Sequence, residues 1–197
     1  MNGFAYRLKR GEEWAAEVVK IIEQRGWKTV PLGVENVASE VHRLLSMMKN
    51  PDPTARFLRY MPDGFAVREE SEEAFFFDAK SGETIEKDAY LAYRAFAGSD
   101  RRVFVFIRHL GNTYCVPVND LRFKDSWEVV RRYPRPLPVD EDGWIAPRLL
   151  PRDEYLRWKS RNPQASGTSF RYFDLPAMRK YRFSVDVEAA HLGGLLA

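Results

Sequence analysis

Cysteine is nearly missing from this sequence: Cys115 is the single one. One thiol excludes an internal disulfide framework and any cysteine-based zinc cluster. Its place in an apolar run predicts a packing role. Histidine is almost as scarce, and His42, His109 and His191 stand far apart, without ligand spacing. No apolar run reaches the roughly 18 residues of a transmembrane helix, so no membrane partner is expected. The opening MNGFAYRLKR has no apolar signal region, so the sequence predicts an intracellular, cytoplasmic protein. There is no internal repeat and no low-complexity tract.

What is present suits a globular chain. With 197 residues, 45% of them hydrophobic, it can build one good core with a small appendage. The formal charge of +3 is mildly basic and selects no partner by itself. Arginine greatly outnumbers lysine, and its fork favours bidentate phosphate contacts.

Periodicity predicts a helix from Gly11 to Arg25, with Trp14, Ala15, Val18, Ile21 and Ile22 on one face and Gly26 as the stop. A strand over Trp27–Leu32 follows. A second helix is expected over Val34–Lys49, its core face formed by Val37, Val41, Leu44, Leu45 and Met48, ended by Asn50-Pro51-Asp52-Pro53. Arg56–Tyr60 leads into a hairpin. Its strands are Gly64–Arg68 and Ala74–Lys80. Then come a helix over Ile85–Ala97 and two strands, Arg101–His109 and Thr113–Val118. The first of these alternates Val103, Val105 and Ile107 with Phe104 and Phe106, apolar on both faces as a central strand is.

The chemistry concentrates in MPDGFAVREESEEAFFFDAKSG, Met61 to Gly82. On a strand, Phe75, Phe77 and Ala79 share one face, and Phe76, Asp78 and Lys80 the other. Asp78 and Lys80 would then project side by side, as an ordinary salt bridge or as part of a site. Two carboxylates from adjacent strands, Asp63 and Asp78, can hold a cation that prefers oxygen and keeps open positions. A lysine beside them can position a water or offset developing charge.

Pro62-Asp63 followed by Asp78-Ala79-Lys80 resembles the PD-(D/E)xK nuclease superfamily. The opening GEEWAAEVVKIIEQRGW is similar to the helical start of its members, and the order of elements over residues 5–125 is similar to their core. The resemblance implies an α/β fold: a mixed central β-sheet flanked by helices, restriction-endonuclease-like, with residues 1–125 as the core. It implies a metal-dependent DNA endonuclease, resolvase- or repair-like. The small size, with no fused helicase, points to a stand-alone enzyme of phage or mobile-element type. Asp63, Asp78 and Lys80 would be catalytic. Asp63, Asp78 and the backbone carbonyl of Ala79 would ligate Mg2+ or Mn2+. DNA is the expected partner, and cutting both strands with one site per chain would favour a homodimer. One departure stands out. The family often has a glutamate after the helix aromatic, where this chain has Ala15. Glu12, within about 60° of it by helical phase, is the better surrogate ligand, with Glu17 on the other flank. Glu12 reads equally as a charge favoured by the helix dipole.

Residues 126–197 are expected to form a C-terminal extension packed on the core. It is rich in proline, then basic with interleaved aromatics. Arg157, Lys159, Arg161, Arg171, Tyr172, Arg179 and Lys180 could meet nucleic acid there, with Tyr90 and Tyr93 added from the Ile85–Ala97 helix. The competing reading packs those aromatics and leaves the arginines solvated. Two other functions stay open: a nuclease-like fold that binds nucleic acid or regulates without catalysis, and a protein that docks a protein partner through residues 126–197.

Overall fold

The computed structural model describes residues 3–32, 52–98, 100–125, 137–162 and 168–183, with Val41, Leu44, Leu45, Met47 and Met48. It is a mixed α/β protein. Helix α1 (Gly3–Glu23) starts earlier than the sequence periodicity suggests. Gly26 ends it with φ +79°, a conformation that favours glycine. The corner beyond is locked. The Arg68 guanidinium stacks on Trp27 at 4.3 Å and donates to the Arg25 carbonyl at 2.9 Å. Strand β1 (Lys28–Pro31) follows.

The expected helix over 34–49 lies mostly outside the described residues. Where it is described, Leu45 is buried, but Val41, Leu44, Met47 and Met48 are exposed, which corrects the core face read for Val41, Leu44 and Met48. Arg56–Tyr60 is not a simple lead-in either. Pro53–Arg59 forms a short helix, α2, capped by the Asp52 side chain, which accepts from the Ala55 amide at 2.7 Å. Asp-Pro at cap and first turn is a legible start signal.

Strands β2 (Gly64–Arg68) and β3 (Glu73–Lys80) form the expected antiparallel hairpin, with Gly64 opposite Phe77. Gly64 must lack a side chain: a Cβ there would lie 2.6 Å from the Phe77 ring and 2.8 Å from the Val30 carbonyl. Next comes a strand where a helix was expected. Thr84–Glu86 is β4, and helix α3 begins at Lys87 and ends at Ala97. Ile85 is drawn into β4 by a partner far along the chain, β7 (Phe170–Tyr172), with which β4 forms a two-stranded sheet. Strands β5 (Val103–His109) and β6 (Asn112–Pro117) complete the hairpin after α3. Helix α4 (Arg152–Arg161) and the two-residue strand β8 (Arg182–Phe183) belong to the last third.

The main sheet runs β1-β2-β3-β5-β6-β8, with β3 and β5 parallel and the other neighbours antiparallel. Alternation along β3 and β5 gives each face a core. Trp14, Val18, Ile21 and Ile22 of α1 pack on Phe75, Phe77, Phe104 and Phe106. Ala89, Tyr93 and Ala97 of α3 pack on Val103, Val105 and Ile107. Each fully buried Phe or Ile contributes about 1.5–3 kcal/mol. Trp144, Phe173, Leu175, Met178 and Tyr181 from the last third share the core on the α3 side. Cys115 is buried on the α1 side, and burial pushes its thiol up. No helix among the described residues is long and apolar enough to cross a membrane.

Candidate functional site

Asp63, Asp78 and Lys80 meet at one end of the sheet. Asp63 immediately precedes β2 and faces the last residues of β3. Its Oδ2 accepts a hydrogen bond from the Ala79 amide at 2.7 Å, between the other two side chains. Asp78 and Lys80 share the β3 face that packs under α3. Lys80 Nζ lies 2.8 Å from Asp78 Oδ2. Tyr93, from the buried stripe of α3, donates its hydroxyl to Asp78 Oδ1 at 2.7 Å.

Burial differs sharply within this group. The Asp78 side chain is 2% exposed, whereas that of Lys80 is 28% exposed. Asp78 Oδ2 has the ammonium as ion-pair partner but no donor in hydrogen-bonding geometry, so it keeps acceptor capacity for another charge. Burial works against the Lys80 charge, yet Asp78, Asp63 and Glu86 outweigh it and hold the ammonium above its ordinary range. Burial and then the Asp78 charge push the Tyr93 phenol well up, so it stays a donor. Nearby, Tyr60 donates to Asp88 at 3.4 Å, and burial, reinforced by that carboxylate, pushes its phenol up to about 12.

The same sheet end carries a second charged group. His109 lies two residues past Ile107, the partner of Lys80 in the parallel register. Its Nδ1 is 2.8 Å from Glu83, which also meets Lys124 at 3.5 Å.

The other sequence candidates are placed elsewhere. Glu12 is exposed on α1, the layer on the opposite face of the sheet from Asp78 and Lys80. Glu17 is engaged with Arg108 at 2.6 Å. Among the described residues, no cluster of three His, Cys, Asp or Glu side chains is arranged to hold a metal ion. Tyr90 packs edge-on against Phe123 at 5.1 Å. Arg171 clamps the extension: it donates to the Gly143 carbonyl at 2.9 Å and to the Asp142 carbonyl, and lies 4.9 Å over Trp144. Tyr172 is half-buried in β7. Arg157, Arg161, Arg179 and Lys180 are exposed, and Lys159 is half-buried.

From the sequence Tyr93 reads either as substrate-facing or as part of a partly buried aromatic face of its helix; the structure has the buried arrangement, with the hydroxyl on Asp78. The signal was there. Ala89, Tyr93 and Ala97 recur every fourth residue, and two small neighbours let the helix sit close to the sheet. No protein-family model matches the chain, and no curated protein matches it significantly.

Proposed function

We propose that the protein is a metal-dependent DNA endonuclease with a restriction-endonuclease-like core. The observation that carries this reading is the convergence of Asp63, Asp78 and Lys80 around the Ala79 amide. The element order supports it: α1, strand β1, then after the short helix α2 the hairpin β2–β3 ending in D-x-K, and after the short strand β4 helix α3 and strand β5, parallel to β3.

The donor chemistry fits Mg2+ or Mn2+. Carboxylate and carbonyl oxygens are hard ligands, and Asp78 Oδ2 is buried with the Lys80 ammonium at 2.8 Å as its one close partner, which leaves a carboxylate oxygen a further acceptor position. Asp63, Asp78 and the Ala79 carbonyl would hold the ion. When bound, it neutralises phosphate charge and eases ionisation of a water. Asp63 and Asp78 would fix where the ion sits. Lys80, paired with Asp78 at 2.8 Å, positions the attacking water and offsets charge on the phosphorane, or helps to deprotonate that water. Water oxygen bonds to phosphorus as the bond to the 3′ oxygen breaks, leaving a 5′-phosphate and a 3′-hydroxyl. The exposed Arg157, Arg161, Arg179 and Lys180 are available to backbone phosphates.

A second reading has its own observation. Asp78 is almost fully covered, its oxygens facing Tyr93 and Lys80, as suits a closed ion pair in a non-catalytic nucleic-acid binder. One panel separates the two. Supercoiled plasmid, linear duplex, single strand and a four-way junction are incubated with Mg2+ or Mn2+, wild type beside Asp78→Ala and Lys80→Ala. Cleavage by wild type, reduced about a hundredfold or more in folded variants, supports the enzyme. Equal cleavage by a variant overturns it. Salt-sensitive binding without cutting, unchanged by metal, supports the binder.

A further inference from the structure

The buried Tyr93 hydroxyl has no part in the reaction described above, yet it makes the shortest hydrogen bond to the most buried carboxylate of that site. Both residues are 2% exposed. An ionised carboxylate only accepts, so the phenol is the donor. With Oδ1 held by Tyr93 and Oδ2 beside Lys80, rotation of the Asp78 carboxylate would break one contact or the other. The Lys80 ammonium also lies 6.0 Å from the centre of the Tyr93 ring, so one side chain of α3 borders both chemical groups of β3.

We propose that Tyr93 is a positioning residue for a divalent cation: it fixes the Asp78 carboxylate so that Oδ2 is presented as the ligand oxygen. The proposal rests on the metal-site reading above. Partners that orient a ligand in this way typically govern affinity by about 10- to 100-fold.

The test is Mn2+ binding by calorimetry, with Asp78→Asn as the control that removes the ligand charge. Tyr93→Phe deletes only the hydroxyl and keeps the ring in its slot. The expected result is about 10- to 100-fold weaker Mn2+ binding. The Mn2+ concentration for half-maximal cleavage should rise by a similar factor, and activity should recover at saturating Mn2+. Replacing Tyr93 with 4-aminophenylalanine restores a donor of similar reach and should recover the affinity; it also carries the test if the Phe variant folds poorly. Tyr93→Phe that melts earlier but binds Mn2+ as wild type does, or an aminophenylalanine variant that folds yet recovers nothing, overturns the proposal alone. Wild type that binds no Mn2+ overturns the metal-site reading together with it.

Discussion

The Asp63 carboxylate accepts the Ala79 amide hydrogen at 2.7 Å, joining the start of one strand to the end of its neighbour. That amide lies past the last hairpin pair, Gly64 with Phe77, so a side chain extends the ladder beyond the backbone pairing of β2 and β3. Charge and hydrogen bond can be separated here. Asp63→Asn keeps an acceptor for the amide and removes the charge, so the fold should stay near wild type while cleavage is lost. Asp63→Ala removes both and should cost about 1.5–3 kcal/mol as well. Urea denaturation beside a cleavage assay checks the pair. Equal stability loss in both variants would mean that the charge, not the amide bond, holds this junction.

Asp78 and Lys80 should not be kept for stability. Removing one partner of a buried pair leaves an uncompensated charge, so Lys80→Met should destabilise by about 3 kcal/mol, less to the extent that the partly exposed ammonium leaves water access. Replacing the whole group by apolar residues, as in Asp78→Leu/Lys80→Met/Tyr93→Phe, should be near neutral or stabilising relative to wild type. The triple variant being less stable than Lys80→Met would make the polar group a determinant of the fold instead of a cost carried for function.

Legibility in the sequence followed the range of the interactions. Alternation placed Phe75, Phe77, Asp78 and Lys80 on their correct faces, because a strand's side-chain period is local. Val103 to Ile107 read as a central strand for the same reason. Ile85 was misread because its partner, Arg171 in β7, is far away in sequence, and the same residues suit the start of an amphipathic helix. Tyr93 reads from the sequence as either a substrate-facing or a partly buried helix aromatic, because its direction depends on how deeply α3 sits on the sheet, which Ala89 and Ala97 set only after packing. The arginines split for an equally non-local reason: Arg171 finds the Gly143 carbonyl and Trp144, whereas Arg157 and Arg161 remain on an exposed helix.

The last third is fastened to α3 by charge as well as by packing, and this gives a pH dependence. Lys87, the first residue of α3, lies 2.7 Å from Asp140 and 2.8 Å from Asp142. Burial opposes ionisation of Asp140, but Lys87 and the Trp144 and Asp142 amides outweigh it and hold the carboxyl below its ordinary range. A depressed folded-state pKa stabilises above the unfolded value, about 3.9, and that stability is lost as pH falls through the folded value. Lys87 is shifted upward despite burial, by the same two carboxylates, so its share persists until alkaline pH. Asp140→Asn retains an acceptor for the Trp144 amide and loses the charge. It should be less stable than wild type by about 1–2 kcal/mol at pH 7, and the difference should shrink toward zero at an acid pH below the depressed folded value, where wild type is protonated too. Denaturation curves at the two pH values provide the comparison. A difference that stays constant between them would assign the effect to shape at position 140 rather than to the ion pair, and would leave Trp144 and Phe173 as the fastening of this segment to the helix that carries Tyr93.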